Sequence, residues 1–213
     1  MGEREDRRQR AHDLLDARGI PWLESLPMIE TEEEAVFRSV DDIVARFRCL
    51  LAVSWAAIHR DLPLAQVDIE HWQLVRSLSP DEQNFLLGKR NDDRDFINFS
   101  WRCEAIVPLI WAAGLHDDLY FPDQTLDLRS LRTFIHGVTP DKIAEAVQPS
   151  PAEILDQADL IYRLHWAVRQ SGINGQPAPG GLNPGVVMER HHALNWLIGY
   201  DENADWDDVG TDT

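Results

Sequence analysis

The chain has 213 residues, 44% of them apolar and 27% charged, a balance that suits one soluble globular domain and not a disordered segment. Its formal charge of −17 argues against binding a nucleic-acid backbone, which needs a basic surface. Such acidity often serves only to keep a protein soluble, and where it selects a partner it suits a cationic one such as a basic protein face, drawn in by electrostatic steering.

The opening residues, MGEREDRRQR, lack the apolar core of a signal peptide. From Glu3 to Arg18 charge dominates, but Ala11, Leu14, Leu15 and Arg18 keep helical spacing up to a stop at Gly19, so a surface helix is expected. Pro21 and Pro27 bracket a connector, and the acidic run Glu30–Glu34 contains a capping box, Thr31 with Glu34, that could open a short helix. Ser39 reads as the N-cap of a strong helix, with Asp41 and Asp42 in the first turn and Ile43, Phe47, Leu50, Leu51, Trp55 and Ile58 repeating every three or four residues. That helix should be central.

A further helix is expected over Leu64–Leu78, and Ser79-Pro80-Asp81-Glu82 starts a short one that stops at Gly88. Phe96–Ala113 reads as a single helix kinked by Pro108, with Arg102 and Glu104 at a core boundary. Leu126–Ile135 and Pro140–Val147 read as modest helices, the second capped by Thr139. Ser150-Pro151 starts a long helix ending at Gly172, and after a stiff Gly/Pro loop Asn183-Pro184 starts the last one, stopped by Gly199. With no convincing alternating pattern, repeat or linker, the expected fold is one all-α domain over 1–213, irregular and of roughly eight helices, with an acidic C-terminal tail docked on it. The apolar runs Cys49–Ile58 and Ala105–Leu115 are too short to span a membrane. Cys49 and Cys103 sit inside apolar periods and read as buried thiols, which points to a reducing cytoplasm.

Chemistry could concentrate in the two C-terminal helices. In the first, Asp159, Tyr162, His165, Trp166 and Arg169 share a face beside the core stripe, and Asp159 precedes Arg163 by four, the favourable order for an ion pair. In the last, Glu189, His192 and Trp196 share a stripe. Antiparallel packing would let Glu189 and His192 face Tyr162 and His165 or Trp166. Such a cluster would be either a polar pocket with an imidazole acid/base or a satisfied internal network that fixes helix pairing, and the spacings favour the network. Glu189-x-x-His192 is half of a di-iron ligand set, but the second Glu-x-x-His pair is missing, and the adjacent His191 and His192 point roughly 100° apart on a helix, so no metal site is expected. Nucleophile-elbow, phosphate-loop and dinucleotide motifs are absent, so no cofactor is expected. Trp206, flanked by Asp205, Asp207 and Asp208, reads as the anchor of the tail.

DQADLIYRLHWAVR, ERHHALNWLIGY and DWDDVGTDT, with SWRCEAIVPLIWAAGL upstream, resemble the uncharacterised family called domain of unknown function 4272. The resemblance runs from about Arg38 to the C-terminus, so 38–213 forms the family-like core and 1–37 a peripheral segment. Pro108 departs from the uninterrupted helix of the family's corresponding segment. The resemblance implies a helical soluble protein and no particular activity. It joins Trp101, Arg102, Glu104, Asp159, Tyr162, Arg163, His165, Trp166, Glu189, Arg190, Trp196 and Trp206 into one interlocking set. The resulting expectation is a cytosolic binding or regulatory module without catalysis, of unspecified oligomeric state. The alternative is an enzyme or small-molecule binder with a polar pocket between the two C-terminal helices.

Overall fold

A computed structural model describes residues 2–203 and 205–213, and every regular element among them is helical. The chain runs through α1 (Glu3–Ala17), α2 (Val40–His59), α3 (Pro63–Trp72), α4 (Pro80–Leu86), α5 (Asp93–Trp101), α6 (Ile106–Ala112), α7 (Leu128–His136), α8 (Pro140–Glu145), α9 (Pro151–Ile173), α10 (Pro184–Leu197) and α11 (Tyr200–Asn203). Single 3-10 turns cover Leu74–Arg76, Arg102–Ala105, Pro179–Gly181 and Trp206–Asp208. Among the described residues, no helix is long and apolar enough to cross a membrane.

The helix starts follow local chemistry. Ser39, Ser79, Thr139 and Ser150 each accept a backbone N–H of the first turn, and at Ser79 and Ser150 the glutamate three residues on returns the bond in a capping box. Thr31 and Glu34 make the same reciprocal bonds, at 2.9 and 3.3 Å, yet only a turn follows. Ala35 and the residues after it leave that turn to reach the end of α10, where Val36 N–H bonds Ile198 O.

α2 is the central helix, burying twelve of its side chains against α3, α5 and α6. α10 packs on α9, on α6 and on the 3-10 turn at Arg102–Ala105, and α1 packs on α9. That contact buries Arg7, Ala11, His12 and Leu15, so α1 is set into the body and does not merely lie on it.

Two expected helices are interrupted. The run from Leu64 stops at Trp72, where Gln73 takes φ +56°, and resumes as a single 3-10 turn. In the run from Phe96, the break falls one turn before Pro108: α5 ends at Trp101, a 3-10 turn follows, and Pro108 occupies the first turn of α6. A proline has no N–H to give residue 104, so it fits where a helix begins and no such bond is needed. The interruption turns Arg102 toward Glu189 and leaves Glu104 to accept Leu126 N–H.

Candidate functional site

α10 is apolar or buried nearly all round, and Glu189, Arg190, His191 and His192 follow one another along it with 7% exposure or less. Successive residues leave a helix roughly 100° apart. Four consecutive polar side chains therefore reach four different surroundings, and the expected single cluster is divided among them.

Glu189 Oε2 accepts from Arg102 Nη1 at 3.0 Å. Burial pushes its carboxyl above the ordinary range while the Arg102 charge pulls it back. Arg190 donates through Nη1 to Tyr120 O at 2.5 Å and lies over the Tyr120 ring. Its burial opposes the charge, and Glu104 supports it from a distance. His191 Nδ1 is 2.8 Å from His165 Nδ1, and its ring is 5.8 Å from that of Tyr162. His192 Nε2 donates to Trp206 O at 2.9 Å, with the indole 4.5 Å away. Burial lowers His165 to about 4, and His191 and His192 to about 3.

The residue that faces Tyr162 and His165 is thus His191, not the expected Glu189 or His192. The difference is one of register: a helix buried nearly all round has no single apolar stripe from which to count faces. Asp159 and Arg163 do pair, Nε and Nη2 each standing 2.8 Å from a carboxylate oxygen. They turn toward α1, however, where Arg163 Nη1 is 3.4 Å from His12 Nε2 and His12 stacks on Trp22 at 3.8 Å. Trp166 packs against the apolar core. Glu104 Oε1 accepts Leu126 N–H at 2.9 Å, while Oε2 is buried without a partner and burial raises the carboxyl.

Trp206 is 4% exposed. It packs edge-on to Trp196 at 5.7 Å and lies 5.0 Å beneath the Arg46 guanidinium. Arg46, absent from the expected set, forms a buried ion pair with Glu82 in which Nη2 alone donates to both carboxylate oxygens. Its signal was present in the sequence: a charged residue among Ile43, Val44, Phe47 and Leu50 on the buried face of α2 needs a counter-charge.

A cavity of about 260 Å³ opens where α4, α5, α10 and the tail meet. Asp81, Glu82, Glu189 and Asp207 line it, with Arg90, Arg102 and His192, and Phe99, Trp101 and Trp206 supply aromatic wall. Asp207 Oδ2 accepts Asp81 N–H at 2.8 Å and so ties the tail to the start of α4. A second cavity, about 390 Å³, lies on the His191 side beside Tyr162, Asn195 and the Leu26–Glu30 connector. The alternative expected from the sequence is a polar pocket between α9 and α10. Of the polar residues it named, Glu189, His192, Arg102 and Trp206 share the first cavity and Tyr162 borders the second. Among the described residues, no three His, Cys, Asp or Glu side chains are grouped so as to hold a metal ion.

A family model described as a domain of unknown function (DUF4272) matches residues 7–209. The match begins well before Arg38 and takes in α1 from Arg7 onward, in keeping with the burial of that helix against α9. No curated protein and no solved structure matches the chain.

Proposed function

We propose that this chain, which belongs to the family described as domain of unknown function (DUF4272), is a binding module without catalysis whose partner presents a basic side chain. The observation that carries this reading is the lining of the 260 Å³ cavity: beside Glu82, Glu189 and Asp81, which pair with Arg46, Arg102 and Arg90, stands Asp207 with no arginine paired to it among the described residues, and three aromatic rings form the walls. Carboxylates give a guanidinium or ammonium its counter-charge, and ring faces attract the same cation. The overall charge of −17 favours the encounter at long range. The buried free thiols Cys49 and Cys103 support a reducing compartment, the cytoplasm, as its setting.

An acid–base enzyme at this site is the weaker reading. His192 is held near 3 with Nε2 committed to a backbone carbonyl, and a general base works best with a pKa near the operating pH.

Titration calorimetry with a short arginine-rich peptide tests the proposal. Binding should be measurable at low ionic strength, weaken as salt screens it, and weaken about threefold or more in Asp207→Asn, which removes an exposed charge at the rim. Absence of binding, or binding indifferent to both Asp207→Asn and Trp101→Ala, would sink it.

A further inference from the structure

The cavity of about 390 Å³ on the His191 side shares no lining residue with the acidic one at Asp207. Glu30 and Asp212 line it, no lysine or arginine does, and Leu26, Pro27, Met28 and Ile29 form an apolar wall. Tyr162 and Tyr200 add two rings. Two arginines reach its edge from outside the lining: Arg7 donates to the Glu30 backbone carbonyl at 2.7 Å, and Arg169 to Thr213 Oγ1 at 3.2 Å.

His191 and Asn195 are four residues apart on α10 and so share a face, and both line this cavity at 1% and 6% exposure. One polar atom of each is already engaged: His191 Nδ1 with His165 Nδ1 at 2.8 Å, and Asn195 Nδ2 with Gly210 O at 2.8 Å. Among the described residues, His191 Nε2 and Asn195 Oδ1 take no hydrogen bond. Nor are they sealed off: the side-chain atoms that are both enclosed and unpartnered belong to Glu30, Glu104 and five arginines. Two buried side chains thus turn an unused polar atom to the same open space, and such an atom is costly to leave without a partner. When His191 donates through Nδ1 to His165, Nε2 carries a lone pair. Both unused atoms are then acceptors.

We infer that this cavity binds a small apolar primary amine, its ammonium donating to His191 Nε2 and Asn195 Oδ1 and its hydrocarbon part lying against Pro27, Met28 and Ile29. Charge and hydrogen bonding agree on the class. An ammonium brings donors and no acceptor, which matches two unused acceptors in a lining that holds no lysine or arginine. Glu30 and Asp212 supply counter-charge, and the tyrosine ring faces attract the same cation. An anion would meet two carboxylates and no base. The volume lies toward the lower end of small-molecule sites, which limits the body to about one ring on a short chain.

The test titrates the full chain by calorimetry with phenethylamine, its neutral analogue 2-phenylethanol and its anionic analogue 3-phenylpropionate, and follows the His191 ring nitrogens by NMR. The amine should shift the His191 Nε2 resonance and bind about tenfold or more tightly than the alcohol, as expected for charge-assisted hydrogen bonds. The acid should not bind. Met28→Trp, at a position 37% exposed, fills the cavity and should abolish binding with His191 and Asn195 intact, which separates this site from loose attraction of amines to an acidic surface. His191→Phe keeps a ring and removes Nε2, and should weaken the amine about tenfold. If His191→Phe does not fold, the contrast between amine and alcohol on the wild-type chain and the Met28→Trp result still decide. Equal binding of amine and alcohol, binding that survives Met28→Trp, or no binding of the amine overturns the inference and leaves both acceptors to water.

Discussion

The Nδ1 atoms of His165 and His191 stand 2.8 Å apart with the rings nearly perpendicular. One imidazole must donate and the other accept, so at least one ring must be neutral and the contact is lost when both are doubly protonated. Burial enforces the same state, lowering His165 to about 4 and His191 to about 3 from an ordinary 6.5. The unfolded chain therefore binds more protons than the folded one below 6.5, and this contribution is present above that pH and lost as pH falls toward the folded values. Each such histidine contributes a slope of about 1.4 kcal/mol per pH unit once its unfolded form is protonated. Glu104 and Glu189, raised by burial, act in the opposite sense above the ordinary glutamate range. The difference between wild type and His191→Gln isolates the pair. Thermal melts from pH 7.5 to 5 should show a shallower decline in the variant, and parallel curves would contradict the neutral pair.

What could be read from the sequence was what local chemistry determines. The caps at Ser39, Ser79 and Ser150 need only residues three apart, and the apolar period of α2 marks a central helix without reference to any neighbour. The polar site was legible as a set of residues and not as an arrangement. Every polar residue named on α10 is buried, but which of them faces α9 depends on rotation within a helix enclosed nearly all round. Arg46 and Glu82 lie 36 positions apart, and only the packing of α4 against α2 brings them together. Pro108 announced a break, but the 3-10 turn in front of it, which aims Arg102 at Glu189, is a tertiary choice.

The Arg46–Glu82 pair is buried at both ends, with 4% and 2% exposure, and Glu82 also closes the capping box with Ser79. Glu82→Ala strands a guanidinium in the core and is expected to cost about 3–5 kcal/mol. Replacing both partners, Arg46→Met with Glu82→Leu, removes the stranded charge and should recover most of that loss apart from the cap. Urea denaturation of the two variants distinguishes a buried pair from a dispensable surface bridge, for which both changes would stay within about 1 kcal/mol.

Cys49 and Cys103 are 0% and 7% exposed, and burial pushes both thiols up to about 12. The thiolate is the reactive form. Neither residue should react with an aromatic disulfide reagent at pH 8 in the native protein, and both should be released together when the chain is unfolded in denaturant. Rapid labelling of one thiol under native conditions would show a path to solvent that this packing does not contain.

Gly199 closes α10 at φ +67°, and a Cβ there would stand 2.6 Å from Val36 O. The neighbour cannot yield easily. Val36 N–H bonds Ile198 O at 3.0 Å, Arg38 N–H bonds Leu197 O at 3.1 Å, and Arg38 Nε bonds Trp196 O at 3.0 Å, so the 36–38 segment is the cap on the last carbonyls of the helix. Gly175 offers the control, with φ +66° and nothing within 4 Å of its Cβ position. Alanine at 175 should cost only the left-handed backbone strain, about 1–2 kcal/mol. Alanine at 199 should cost that and about 1–3 kcal/mol more, because the crowding must either displace the capping segment or distort the helix end. Denaturant melts of the two variants measure the difference directly. Equal losses would mean that the 36–38 segment is free to move aside, and that the end of α10 does not depend on it.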